Sequence, residues 1–425
     1  MTITQYPKLD EKVYATVLQN GLTVKVVSRP GFTRKMAYFV TDFGAIHTDF
    51  ELEGKIYHAP AGIAHFLEHK MFELPDRDVS AEFAALGANV NAFTSYDMTA
   101  YHFSCSENFM ESLRLLLEFV STPYFPEESV QREMGIIDQE IGMNEDSPDT
   151  RVFEELMKCL YRQHPIRVPI LGSRQSLREI TPELLTACHR AFYTPANMIL
   201  CVVGDVNADD VVALAEKVLG PEQKPPGKKL RSWQEEMKAD RSDCNGRMEV
   251  AMPMFQMAFK AEPAPKGKAS IRSEIVGDLA AEALFGESSP LYLRLYEDGT
   301  IDSSFGGGFE SVDDCAMLAC GGDSYDAPAI REAILKRAAQ LWQEGIEKAD
   351  FLRMKRSAMG RRIRDLDSFD STCFRICAYH FSDFDYFDFP AVYEEVRQEE
   401  VLEFLHRVVS KERCALSIIG PKEET

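Results

Sequence analysis

Residues 62–72 read Gly-Ile-Ala-His-Phe-Leu-Glu-His-Lys-Met-Phe, and the order H-x-x-E-H within them constrains the whole chain. On a helix, residues four apart share a face, so His65 and His69 can aim two imidazoles at one metal ion with Glu68 beside them. The order inverts the H-E-x-x-H motif of zinc peptidases and keeps its chemistry: two neutral imidazoles as ligands and a carboxylate for the attacking water. With 9 histidines and 68 acidic residues in 425, roughly 0.03 such matches are expected by chance. The competing reading is a helix whose histidines sit at the edge of a core, or one that has lost its metal.

A chain this long exceeds one ordinary core and suggests two domains or more. The net charge of -21 argues against a nucleic-acid partner, because no basic stripe exists to replace counterions, and a basic or neutral peptide suits it better. The opening residues, MTITQYPKLDEKVY, lack a cationic segment followed by an apolar one, and no apolar run approaches 20 residues. The expectation is a cytoplasmic protein outside the membrane, its ten cysteines reduced. Cys373, Cys377 and His380 share one helix face and read as small buried thiols with a polar edge residue, since a closed zinc site needs a fourth ligand.

Along the chain, residues 12–50 read as β-structure, with Asn20-Gly21 as a hairpin turn, and Pro60 stands near the start of the motif helix. A short helix then stops at Gly87, and two β-like runs follow, around 88–95 and 98–104. An edge strand of small residues there, Asn91-Ala92-Phe93, could pair with an extended peptide, or be a plain hairpin. Residues 107–121 and 127–145 read as helices. Glu133 and Glu140 lie seven apart on the second, beside Ile136, Ile137 and Ile141. Burial without a cation would be costly, so a metal ligand with an orienting acid is one account and a solvated helix rim the other. Further helices are expected at 177–192 and 209–219, with a buried strand at 198–203 between them.

The stretch Pro221 to Lys229 is the best linker in the chain. Beyond it, Ala415–Ile419 before Gly420 mirrors Leu200–Val203 before Gly204, an offset of 216 residues, and the offset lays helix 276–285, which has no histidine, on the motif helix. The expected organisation is a metal-binding domain at 1–220, a linker at 221–243 and a metal-free repeat of the same shape at 244–425.

Taken together, G-I-A-H-F-L-E-H-K-M-F-E at 62–73, N-A-F-T-S at 91–95, Q-E-I at 139–141, H-P-I-R-V-P-I-L-G at 164–172 and Y-T-P-A-N-M-I-L-C-V-V-G-D-V at 193–206 resemble the insulinase-like (pitrilysin, M16) zinc peptidases, especially their short bacterial YmfH-type members. The resemblance spans most of the first 210 residues. It implies that His65, His69 and Glu140 bind Zn2+, that Glu68 is the general base, and that Glu133 orients a ligand. It also implies two α+β halves paired as a clamshell around peptides or unfolded segments, with Asn91, Ala92 and Phe93 in the docking strand.

The second half departs from the family pattern. Members that cut peptides present an arginine and a tyrosine from the metal-free half; here Tyr296 and Asp302 hold those positions, with Arg294 nearby. The expectation is therefore the catalytic subunit of a zinc endopeptidase, completed by a homologous subunit without the zinc motif, or alternatively a homodimer. The contrasting reading is a non-catalytic scaffold or assembly subunit of the same fold.

Overall fold

The computed structural model describes residues 1–75 and 77–422. Two compact units emerge, and neither is contiguous in sequence. The first comprises Met1–Ile141, Pro169–Ser232 and Ile363–Asp388; the second comprises Gly142–Val168, Trp233–Arg362 and the chain from Phe389 onward. A division at 220 and 244 does not separate them, because each unit takes a helix from the other half of the sequence. Pro148–Leu160 packs on the sheet of the second unit, and Phe369–Phe381 on that of the first.

The first unit is built on a seven-stranded sheet ordered Thr2–Tyr6, Glu11–Val17, Thr23–Ser28, Met198–Gly204, Lys35–Thr41, Thr99–Cys105 and Asn89–Thr94. All neighbours are antiparallel except Met198–Gly204, which runs parallel to Thr23–Ser28. Met198–Gly204 is apolar and buried at every position, as a strand covered on both faces must be. One face carries Val24, Val26, Ala37, Phe39, Leu200, Val202, Tyr101 and Phe103 into a core shared with the motif helix, Ile63–Met71, and with Phe109–Ser121. On the other face, register sets Lys25, Cys201, Tyr38 and His102 side by side, and Phe369–Phe381 covers the strands that carry Cys201 and Tyr38. Tyr38 Oη donates to Asp370 Oδ1 at 2.6 Å.

The second unit has a five-stranded sheet ordered Asp243–Met248, Cys414–Pro421, Met254–Ala261, Cys315–Asp323 and Gly306–Val312. Its one parallel pair, Asp243–Met248 with Cys414–Pro421, stands where Thr23–Ser28 pairs with Met198–Gly204 in the first sheet. The inferred repeat is thus present at the level of strand order and direction.

The expected linker is not a free spacer, because its backbone groups find partners. Lys228–Lys229 pairs antiparallel with Phe50 and Glu51, and Gly227 N–H donates to Ala191 O at 2.7 Å. Glu235 accepts from the backbone N–H of Gln163 and of His164. Of the ten cysteines, Cys159 and Cys244 bring their sulfur atoms together in the second unit, and the other eight are buried. Among the described residues, no helix is long and apolar enough to cross a membrane.

Candidate metal centre

The motif helix, Ile63–Met71, starts from Gly62 at φ 92°, a left-handed conformation that glycine adopts without strain. A side chain on Gly62 would also strike the carbonyl oxygen of Leu171, and one on Gly172 would strike that of Ala61. Two backbones therefore touch where the helix begins, which accounts for a glycine closing the 164–172 segment. Gly62→Ala is expected to cost about 1–3 kcal/mol for the strained conformation alone, read as a lower midpoint in chemical denaturation. A midpoint equal to wild type would show that this junction tolerates a side chain.

Ile63, Ala64, Phe66, Leu67 and Met71 are all buried, so apolar packing holds the helix on several sides and fixes where its polar residues point. His65 and His69, one turn apart, bring their ring centroids to 4.6 Å. Helix Glu127–Glu145 supplies the facing carboxylates. Glu140 Oε1 lies 3.6 Å from His65 Nε2, and Glu140 Oε2 lies 3.5 Å from His69 Nε2. Neither is a good hydrogen bond. Two ligands of a tetrahedral zinc, each at its usual bond length, stand about 3.4 Å apart, so the separations suit three atoms grouped around an ion. These three residues form one of two groups of potential ligand atoms found among the described residues.

Glu133 meets the other side of His69, its Oε1 being 2.9 Å from Nδ1. This is how metal-binding histidines are commonly oriented, with the remaining ring nitrogen donating to a carboxylate. His65 Nδ1 is buried without a hydrogen-bond partner in the protein. Burial, and then the neighbouring His69, push the His65 pKa down to about 3, so its ring stays neutral and keeps a lone pair. Burial opposes charge on His69 as well, but the hydrogen bond to Glu133 and the charges of Glu68, Glu133 and Glu140 raise its pKa. A cluster of carboxylates that draws a proton onto an imidazole is one that suits a divalent cation, and the donor set fits zinc.

Glu68 projects from the same helix and is 9% exposed, and burial raises its pKa. Thr94 Oγ1 donates to Glu68 Oε2 at 2.6 Å, which opposes that rise. Thr94 is the residue that sequence reasoning misses: it lies within N-A-F-T-S, but only the register of strand Asn89–Thr94 shows that it faces the motif helix. That strand pairs with Thr99–Cys105 on one side and ends the sheet on the other. The strand reaches the carboxylate through the Thr94 side chain. Asn91 Oδ1 accepts from Ala92 N–H at 2.9 Å. Phe93 turns to the opposite face from Thr94, where its ring lies 5.9 Å from Phe374 and 6.1 Å from His102. What Phe93 could offer a peptide is its backbone, not its ring.

The second potential ligand group, His164, Asp314 and Cys315, has a different character. His164 Nδ1 accepts from Ile166 N–H at 3.0 Å, which leaves Nε2 to carry the proton, 2.7 Å from Asp314 Oδ1. Both nitrogens are thus committed, and the group reads as a satisfied buried network. Cys373 and Cys377 are fully buried, as expected, and interact with Cys201.

Comparison with known proteins fits this geometry. The sequence model for insulinase (peptidase family M16) matches residues 54–174, and that for the peptidase M16 inactive domain matches residues 179–358. Across 98% of the chain, and 99% of the relative, there is 35% identity to the uncharacterised zinc protease YmfH of Bacillus subtilis. The chain belongs to peptidase family M16. The crystal structure of an M16-like peptidase from Alicyclobacillus acidocaldarius superposes with a TM-score of 0.93 at 31% identity, covering 97% of this M16 chain and 99% of that one. A Helicobacter pylori protease shares the fold alone, with a TM-score of 0.83 at 21% identity over 97% of this chain and 100% of that one. The match to an inactive-domain model falls entirely on residues beyond the motif helix, and no H-x-x-E-H occurs there.

Proposed function

We propose that this chain is a zinc-dependent endopeptidase acting on peptides or unfolded segments. The observation that carries the reading is the convergence of Glu140 on the Nε2 atoms of His65 and His69, with Glu133 behind His69 and Glu68 alongside. A non-catalytic scaffold has no use for so many interdependent, partly buried polar groups in one place. His65, His69 and Glu140 would hold the metal. Zinc, when bound, supplies Lewis-acid polarisation of a carbonyl and acidification of water.

The chain's own residues do the rest. An extended peptide adds to the free edge of Asn89–Thr94, backbone to backbone, which aligns its carbonyls with the strand. Glu68 accepts a proton as a water oxygen bonds to the scissile carbonyl carbon, then returns it to the leaving nitrogen as the C–N bond breaks. Thr94 keeps the carboxylate aimed.

Metal analysis of the purified protein should find about one zinc per chain, and His65→Ala, His69→Ala and Glu140→Ala should each lower it. Undiminished zinc in Glu140→Ala would move the third ligand elsewhere, with Glu133 the next candidate. A wild-type protein with no zinc and no peptidase activity after zinc addition would favour the scaffold reading.

A further inference from the structure

Lys70 follows His69 directly and is 1% exposed, an unusual place for an ammonium group. Its Nζ donates to Glu73 Oε2 and to Ser129 Oγ. Ser129 Oγ in turn donates to the same Glu73 oxygen at 2.6 Å, and Arg132 closes the group on Glu73 Oε1 at 2.8 Å. The four residues tie the end of the motif helix to the start of helix Glu127–Glu145. Ser129 precedes Glu133 by four residues and Glu140 by eleven, spacings that put all three on one face of that helix.

From this geometry we infer that Lys70 is a positioning residue for the metal centre, the pin that sets helix Glu127–Glu145 in register against the motif helix. The inference rests on the zinc reading above. A slip of one residue along a helix moves a side chain by about 1.5 Å and turns it by about 100°, whereas metal–ligand distances tolerate only about 0.2 Å. The two histidines share one helix and keep their spacing unaided. Glu133 and Glu140 come from another helix, so their placement depends on what joins the two. Apolar contacts through Val130, Ile137 and Ile141 hold that helix to the core, but such contacts are non-directional and leave axial position loosely defined. A buried ammonium with two fixed acceptors is directional, and its desolvation makes any misaligned state costly. An apolar side chain of equal length would pack as well without setting the register.

The test uses full-length protein, zinc competition against a chelator, and the visible spectrum of the cobalt(II)-substituted form. Lys70→Met should remain folded by circular dichroism, bind zinc about 10- to 100-fold more weakly, and show an altered cobalt(II) spectrum. That spectrum reports ligand geometry, which a loss of packing elsewhere would not move. Wild-type zinc affinity with an unchanged spectrum in Lys70→Met overturns the inference. Should that variant not fold, Ser129→Ala, which removes only the hydroxyl that Lys70 grips, decides by the same two readings and in the same directions. Wild-type protein that takes up neither zinc nor cobalt overturns the zinc reading itself, before any variant is compared.

Discussion

Glu68→Gln is expected to retain zinc and lose roughly 10²- to 10⁴-fold in kcat, the span that a positioned acid–base group contributes. The amide has the size of the carboxylate and still accepts a hydrogen bond from Thr94, so the local structure has no reason to change. What it cannot do is take a proton from water. Because the proposed role of Glu68 is proton carriage and not ligation, zinc content should match wild type, and binding of an extended peptide should survive. Steady-state kinetics beside metal analysis checks this. Activity near wild type would remove Glu68 from the mechanism, and lost zinc would make it a ligand.

The second large effect concerns a partner. A carbonyl under attack develops negative charge on oxygen, and loss of one donor to such an oxygen costs about 10²- to 10³-fold. By the family resemblance, an arginine and a tyrosine from the metal-free half would donate, and the same resemblance lays Tyr296 and Asp302 on those positions. Tyr296 is exposed on helix Pro290–Glu297 and stacks on Tyr292 at 5.9 Å. Asp302 Oδ1 accepts from the backbone N–H of Ser304 at 2.8 Å, and its hydrogen bonds hold its pKa below the ordinary carboxylate value, so it stays anionic. On that resemblance, an anion in place of the tyrosine would repel the charge the tyrosine stabilises. We therefore expect the isolated chain to be a weak peptidase, and a homologue from the same genome that lacks the zinc motif but keeps the arginine and tyrosine to raise its rate by about 10²- to 10³-fold. Peptide cleavage before and after mixing, with size exclusion to detect the complex, is the measurement. Full turnover by the chain alone, unaltered by mixing and with no complex formed, would leave a monomer or homodimer as the active form.

Much of the candidate metal centre is legible in the sequence because its signals are local. H-x-x-E-H is a 3.6-residue pattern with chemistry attached, and the seven-residue spacing of Glu133 and Glu140 by itself puts both on one helix face. The family resemblance then joins the two helices. Features set by local pattern alone stand mostly where expected, including Asn20-Gly21 as a turn, with Leu18 and Leu22 hydrogen-bonded across it. What escapes the sequence depends on pairing between distant segments. Thr94 gains its role from strand register, Lys70 from Ser129 fifty-nine residues away, and Lys228–Lys229 becomes a strand because Asp49–Leu52 offers an edge. No periodicity announces such partners. Helix Pro148–Leu160, which the sequence reading passes over, is amphipathic, yet nothing within it states which sheet it will cover.

The exchange of helices between the two halves has a consequence for the chain as a heritable object. A fragment ending near residue 220 would keep the candidate metal ligands but lose the cover over Cys201 and Tyr38, together with Asp370 and Asp385, the acceptors of Tyr38 and Tyr6. A fragment starting near 244 would lack the helix that packs on Cys414–Pro421. Duplication could copy the strand order, but once each copy had come to lean on a helix from the other, the gene could no longer be divided at its most linker-like sequence. The two halves must be made together to be finished at all.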